Sequence, residues 1–167
     1  MNAVRHNGGD APLESLEPQR DAARRRATWL DWLAAAVALA GLADALYLTA
    51  QHFAGQSVRC TVVTGCNEVL GSAYATVGPF PVALLGALAY FTAFSLAILS
   101  AFGYPRTRQM LALLVALMLA STLWFLYVQA FVLRQFCSYC LLSAIVTLSL
   151  TCIVVAGRFW RNDRTQL

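Results

Sequence analysis

Cysteine supplies most of the reactive chemistry available to this chain. Five are present, and Cys60, Cys66, Cys137 and Cys140 fall into two pairs, with Cys152 alone. Cys137 and Cys140 are the ends of a C-S-Y-C quartet. If that quartet opens a helix, the two thiols share one face, and the unpaired N–H groups and positive dipole end stabilise a thiolate there. The thiolate is the nucleophile in disulfide exchange, so this is a reactive pair. Cys60 and Cys66 bracket a stretch containing Thr and Gly that suits a mobile loop, where they can bond to each other or swing toward a neighbour. Together the pairs make a relay in which an external thiol protein attacks the loop pair and two electrons pass on to Cys137 and Cys140. Two plainer readings compete: inert bridges that pin a loop, and a zinc site, since C-x-x-C is also a ligand spacing. The wider spacing of the other pair argues against zinc. Cys152 has no neighbouring base or charge and reads as a small apolar residue buried in a helix.

The elements that must position these thiols follow from composition. Of 167 residues, 59% are hydrophobic and 12% charged, against about 45–50% and about 25% in an ordinary soluble domain. Mean hydropathy is +0.62. Runs of about 20 apolar residues, long enough to cross roughly 30 Å of hydrocarbon, occupy residues 29–51, 80–102, 110–133 and 137–157. Hydrocarbon cannot satisfy free backbone groups, so each run must be helical. The fold class is therefore all-α, a polytopic membrane protein built as a four-helix bundle over residues 29–157. Residues 1–28, with Pro12, Pro18 and half of the acids, read as a disordered cytoplasmic tail, and residues 158–167 as a second cytoplasmic tail. A cleaved signal peptide is the competing reading of the first run, which is too long for one.

All 12 basic residues are Arg. Flanking the four runs, Arg20, Arg24, Arg25, Arg26, Arg106, Arg108, Arg158, Arg161 and Arg164 fall on one side of the bundle, and Arg59 and Arg134 on the other. The positive-inside rule makes the first side cytoplasmic. Both termini then face the cytoplasm and the four paired cysteines face outward, the compartment in which disulfides persist. No basic patch with interleaved aromatics and no phosphate-cradling loop occurs, so nucleic acid is not a partner. In the long exported loop, residues 67–77 are expected to form a short interfacial helix, ended by Gly78 and Pro79. Pro81 should sit just inside the start of the second span.

Among the other polar residues, Asp44 lies inside the first span, where an acid is a functional candidate. It could bond Tyr47 or a backbone group, deliver protons, or be hydrated at the interface. Asp31 is expected to be a first-turn acid beside Arg24–Arg26, and His52 a solvated interfacial histidine. Trp29, Trp32 and Trp160 suit an aromatic belt, and Ala34–Ala36, Ala40, Gly41, Gly86, Ala87 and Ala89 suit close helix packing.

Taken in order, Cys60, Cys66, Ser72, the GPFPVALLG opening of a span and the FCSYCLLSA segment resemble the membrane core of the vitamin K epoxide reductase family, bacterial branch. The resemblance covers roughly residues 29–157. It implies a four-helix bundle enclosing a quinone and oxidising thiols by passing their electrons inward. Cys137 would exchange with a loop cysteine, and Cys140 would face the quinone and form a transient adduct or charge-transfer pair with it. Cys60 and Cys66 would be the shuttle meeting the partner, and Ser72 would sit near the quinone head. Asp44 and Phe80 join Cys140 and Ser72 as candidate quinone contacts. Many bacterial relatives carry a fused thioredoxin-like domain, which this sequence lacks, so a separate periplasmic DsbA-like protein of the thioredoxin fold is expected as partner. Where the animal enzymes place a Tyr four residues beyond the last active Cys, this chain has Ala144. That favours ubiquinone or menaquinone of a bacterial inner membrane over an epoxide, with no metal. The disulfide bond formation protein B family shares the task but carries its two cysteine pairs in the reverse order. A non-enzymatic tetraspan subunit with structural disulfides is the alternative from another class.

Overall fold

Four apolar runs fold as membrane-length helices in the computed structural model, which describes residues 11–55 and 65–162. The spans are Thr28–Phe53, Val82–Ala101, Arg106–Leu133 and Ser138–Phe159, within a few residues of those expected from hydropathy. They belong to α1 (Ala11–Phe53), α3 (Val82–Ala101), α4 (Pro105–Tyr127, continued by a π-helical segment Val128–Leu133) and α5 (Ser138–Asn162). A five-residue helix α2 (Cys66–Leu70) and the two-residue strands β1 (Thr76–Val77) and β2 (Phe80–Pro81) fill the long connection between α1 and α3. The protein is a multi-pass, all-α membrane protein.

The four long helices form a ring in which α1 packs on α3 and α5, and α4 packs on the same two. Small side chains let α1 and α3 approach closely. Ala34, Ala35, Ala38 and Ala45 of α1 meet Ala87, Ala93 and Ala97 of α3 in one buried cluster. Tyr90 crosses from α3 to α5: its hydroxyl lies 2.9 Å from Ser143 Oγ and from Thr147 Oγ1, and it donates to the Ser143 carbonyl at 3.0 Å. Gly41 makes this possible, because a Cβ there would fall within the Tyr90 ring. Ala36 and Ala40 face outward instead of packing between helices, and Gly86 and Ala89 are half-buried.

Several expectations change. Helix α1 begins at Ala11, so residues 11–28 are helical rather than a structureless tail. Ala, Leu, Glu, Gln and Arg dominate that stretch, and their helix propensity outweighs its polarity. Asp31 is consequently far inside a helix, and its partner is Arg108 of α4, 3.1 Å away, whose Nε also donates to Ser100 Oγ at 2.9 Å. The expected helix over 67–77 ends at Leu70, because turns and the β1–β2 hairpin follow; Gly78 supplies the positive φ that hairpin needs. Pro81 stands one residue before α3 in extended conformation, and the Val82 N–H donates to the Ala75 carbonyl at 2.9 Å. Cys152 is on the outer face of α5, not buried. Trp29 and Trp32 are exposed, as is His52 against Phe53; the Trp160 side chain lies outside the described residues.

Candidate active site at the mouth of the bundle

The end of α4 sets the geometry. After Tyr127 the helix widens to π geometry over Val128–Leu133, then stops at Arg134, whose left-handed backbone (φ 51°) turns the chain toward α5. Gln129 holds this turn twice. Its backbone carbonyl accepts the Gln135 N–H at 3.2 Å, and its side-chain Oε1 accepts the Cys137 N–H at 3.0 Å. Cys137 thus becomes the N-cap of α5: its carbonyl accepts the first intrahelical bond, from the Leu141 N–H at 3.0 Å. Cys140 follows in the first turn, as the C-S-Y-C spacing requires.

Cys137 is fully buried and lies just before the fourth span. Its thiol is lowered to about 7, first by a hydrogen bond from the Cys140 side chain, then by the backbone N–H groups of Cys140 and Tyr139, against burial, which pushes it up. The Cys140 side chain first, and the first-turn N–H groups after it, favour the thiolate at this position. Cys140 is half-buried.

Cys66 enters the same site. Cys66, Val69 and Cys137 form a buried cluster with Leu133, Tyr139 and Cys140 around it. The approach is close because Gly65 has no side chain: a Cβ there would lie 2.8 Å from Gln135 Cβ and 3.0 Å from the Phe136 carbonyl. Cys66 is disulfide-bonded, whereas Cys137, Cys140 and Cys152 are free thiols. An oxidised loop cysteine thus packs against a reduced dithiol. Cys60 lies outside the described residues.

Two further residues of α1 lie at this end of the bundle. Asp44 is buried and its Oδ2 has no hydrogen-bond partner. Tyr47 and Tyr139 bond through their side chains, with ring centroids 5.4 Å apart. Ser72 closes α2, its hydroxyl donating to the Val69 carbonyl at 2.7 Å. Phe80 is exposed on β2, outside the cluster around Cys137. Among the described residues, no group of three or more His, Cys, Asp or Glu side chains converges as a metal site. Gln129 and the Tyr47–Tyr139 pair are absent from the sequence-based candidates. The available signal for Gln129 was an amide inside an apolar span, which hydrocarbon tolerates only where it is bonded.

The model of the Vitamin K epoxide reductase family matches residues 32–155, from the first span to the last. With a four-helix membrane bundle, a C-x-x-C dithiol at a helix start and a loop cysteine packed on it, the chain belongs to the vitamin K epoxide reductase family, membrane thiol oxidoreductases of quinone-linked chemistry.

Proposed function

We propose that this protein generates disulfides: it takes two electrons from a separate periplasmic, DsbA-like thioredoxin-fold protein and passes them to a membrane quinone. The observation that carries this reading is the packing of disulfide-bonded Cys66 against the free Cys137–Cys140 pair. The partner dithiol reduces the loop pair Cys60 and Cys66, and a loop thiolate then exchanges with Cys137. Each exchange is a thiolate attack through a mixed disulfide, which needs an accessible first pair and a stabilised thiolate in the second. Oxidation of Cys137 and Cys140 to a disulfide releases two electrons and two protons, the same number that convert a quinone to its quinol.

The residues at the mouth suit a quinone. Cys140 is free and half-buried rather than sealed, Asp44 offers a buried carboxylate oxygen without a partner, and Tyr47 and Tyr139 supply aromatic wall. A bound quinone supplies the two-electron sink. Cys140 is the residue we assign to face it, Asp44 to hold or move a proton at its ring oxygen, and Ser72 and Phe80 to line its head from the loop. The Arg distribution supports an inner-membrane orientation with cytoplasmic termini and the dithiol mouth on the periplasmic side.

The test is quinone reduction by the purified protein with a reduced DsbA-like donor, comparing wild type with Cys60→Ser, Cys66→Ser, Cys137→Ser and Cys140→Ser. Turnover is expected to need all four cysteines, with a small dithiol bypassing only the two loop substitutions. A wild-type protein that reduces no quinone with either donor overturns the proposal and leaves the cysteines as structural bridges of a membrane scaffold.

A further inference from the structure

At the end of the bundle away from the dithiol, α1, α4 and α5 leave a cavity between them. Asp31, Arg108 and Arg158 supply its charged groups, and Leu111, Ile153 and Val154 are part of its apolar wall. These positions lie near the ends of their spans, which begin at Thr28 and Arg106 and end at Phe159. The cavity is therefore at headgroup depth, with its leucine, isoleucine and valine about one helical turn deeper than the arginines. Its enclosed part is about 20 Å³, and it is open on one side. That is room for one water-sized group, such as a single phosphate oxygen. Arg108 engages Asp31 through Nη2 at 3.1 Å and Ser100 through Nε at 2.9 Å, which leaves Nη1 for a ligand. Arg158 is exposed on the rim, with no ion pair among the described residues. Two arginines against one carboxylate leave the cavity one net positive charge.

We propose that this cavity is a headgroup site for an anionic glycerophospholipid, with one phosphate oxygen set against Arg108 and the rest of the phosphodiester at Arg158. A phosphodiester is a monoanion, so its charge matches the net charge of the cavity. The apolar wall formed by Leu111, Ile153 and Val154 lies on the hydrocarbon side of the arginines, where the glycerol and the first acyl carbons must go. A free phosphate ion would leave that wall unused. A zwitterionic lipid would bring a second cation toward Arg158, so the site selects a headgroup with no positive charge of its own. Basic pockets between membrane helices take anionic headgroups for these reasons, and guanidinium suits phosphate because it can donate two parallel bonds. The bound lipid ties α4 to α5, beside the ion pair that ties α1 to α4.

The readout is native mass spectrometry of the full chain in detergent, titrated with phosphatidylglycerol or with phosphatidylcholine of the same acyl chains. Wild type is expected to bind phosphatidylglycerol the more tightly, by about fivefold. Arg158→Gln removes a rim charge without touching the Asp31–Arg108 pair and should weaken phosphatidylglycerol binding about fivefold, with little change for phosphatidylcholine. Arg106→Gln removes the same charge at an exposed position of the same end, outside the cavity wall, and should leave both lipids as in wild type. Asp31→Asn keeps an oxygen for Arg108 but no longer repels phosphate, so it should tighten phosphatidylglycerol binding, a gain that misfolding cannot produce. Equal losses in Arg158→Gln and Arg106→Gln overturn the site, because the attraction would then belong to the whole basic end. The absence of any preference between the two lipids overturns it as well. Displacement of the lipid by millimolar inorganic phosphate would show a free-ion site instead. No thiol or quinone takes part in this binding, so a protein inactive toward quinone would sink the proposed function and leave the lipid site standing.

Discussion

A thiol at the N-cap of a helix meets the N–H groups of the first turn, and in Cys137 it also meets the Cys140 S–H. Because the Cys140 bond is the largest of these effects, Cys140→Ala is expected to raise the Cys137 thiol from about 7 toward its ordinary value. A lowered thiol is deprotonated, and hence nucleophilic, above its own pKa. Wild-type alkylation of Cys137 should therefore climb with pH and level off above about 7. In Cys140→Ala the curve should move to higher pH by about one unit, cutting the rate at neutral pH about tenfold. A coincident pair of curves would remove the Cys140 bond from the account. The two cysteines are legible in the sequence because their spacing alone puts both at one helix start. Gln129 is not legible, since a single amide in an apolar run carries no periodic signal, and only the π-turn brings it back against Cys137. Asp44 is legible as an intramembrane acid, but its unpartnered oxygen and its neighbours depend on how α1 rotates against α5.

At the scale of elements, the contact between α1 and α3 sets where the dithiol sits, because both helices carry the ring that α5 leans on. Tyr90 is the pin: its ring fills the space left by Gly41, and its hydroxyl reaches Ser143 and Thr147. Gly41→Val is expected to push that ring aside and break those bonds. An overpacked contact of this kind costs about 1–3 kcal/mol, seen as a lower thermal midpoint in detergent. Tyr90→Phe, which loses only the hydroxyl, should cost about 1 kcal/mol. A Gly41→Val protein that melts with wild type would mean that α1 and α3 part easily and that the tyrosine is no pin. The spans were readable from hydropathy because hydrocarbon leaves the backbone no alternative to a helix. The N-terminal extension of α1 was not, because Pro12, Pro18 and the acids suggest a tail while the surrounding Ala, Leu and Arg favour a helix. The loop helix was overextended for a related reason: residues 71–77 are compatible with either structure, and the hairpin register with Phe80 and Pro81 decides between them.

For the whole molecule the question is which side the dithiol faces. The two ends of the bundle differ in chemistry as well as charge. One end holds the cysteine mouth; the other holds the Asp31–Arg108 pair and the turn between α3 and α4. Asp31 answers a cation that sequence position alone did not assign to it, Arg108, itself one of the arginines of the orientation signal. The orientation proposed here then makes a test by labelling. In a protein whose five cysteines are Ser, Ala54→Cys marks the mouth end and Tyr104→Cys the opposite end; both positions are exposed. An impermeant maleimide applied to intact spheroplasts should label Ala54→Cys at once and Tyr104→Cys only after the membrane is opened. The reverse pattern would place the mouth in the reducing compartment, where thiols are kept reduced. Cys60 and Cys66 would then meet cytoplasmic thiols instead of an exported partner. Electron flow from a DsbA-like protein would be impossible whatever the reactivity of Cys137, so direction in the cell hangs on the arginines as much as on the thiols.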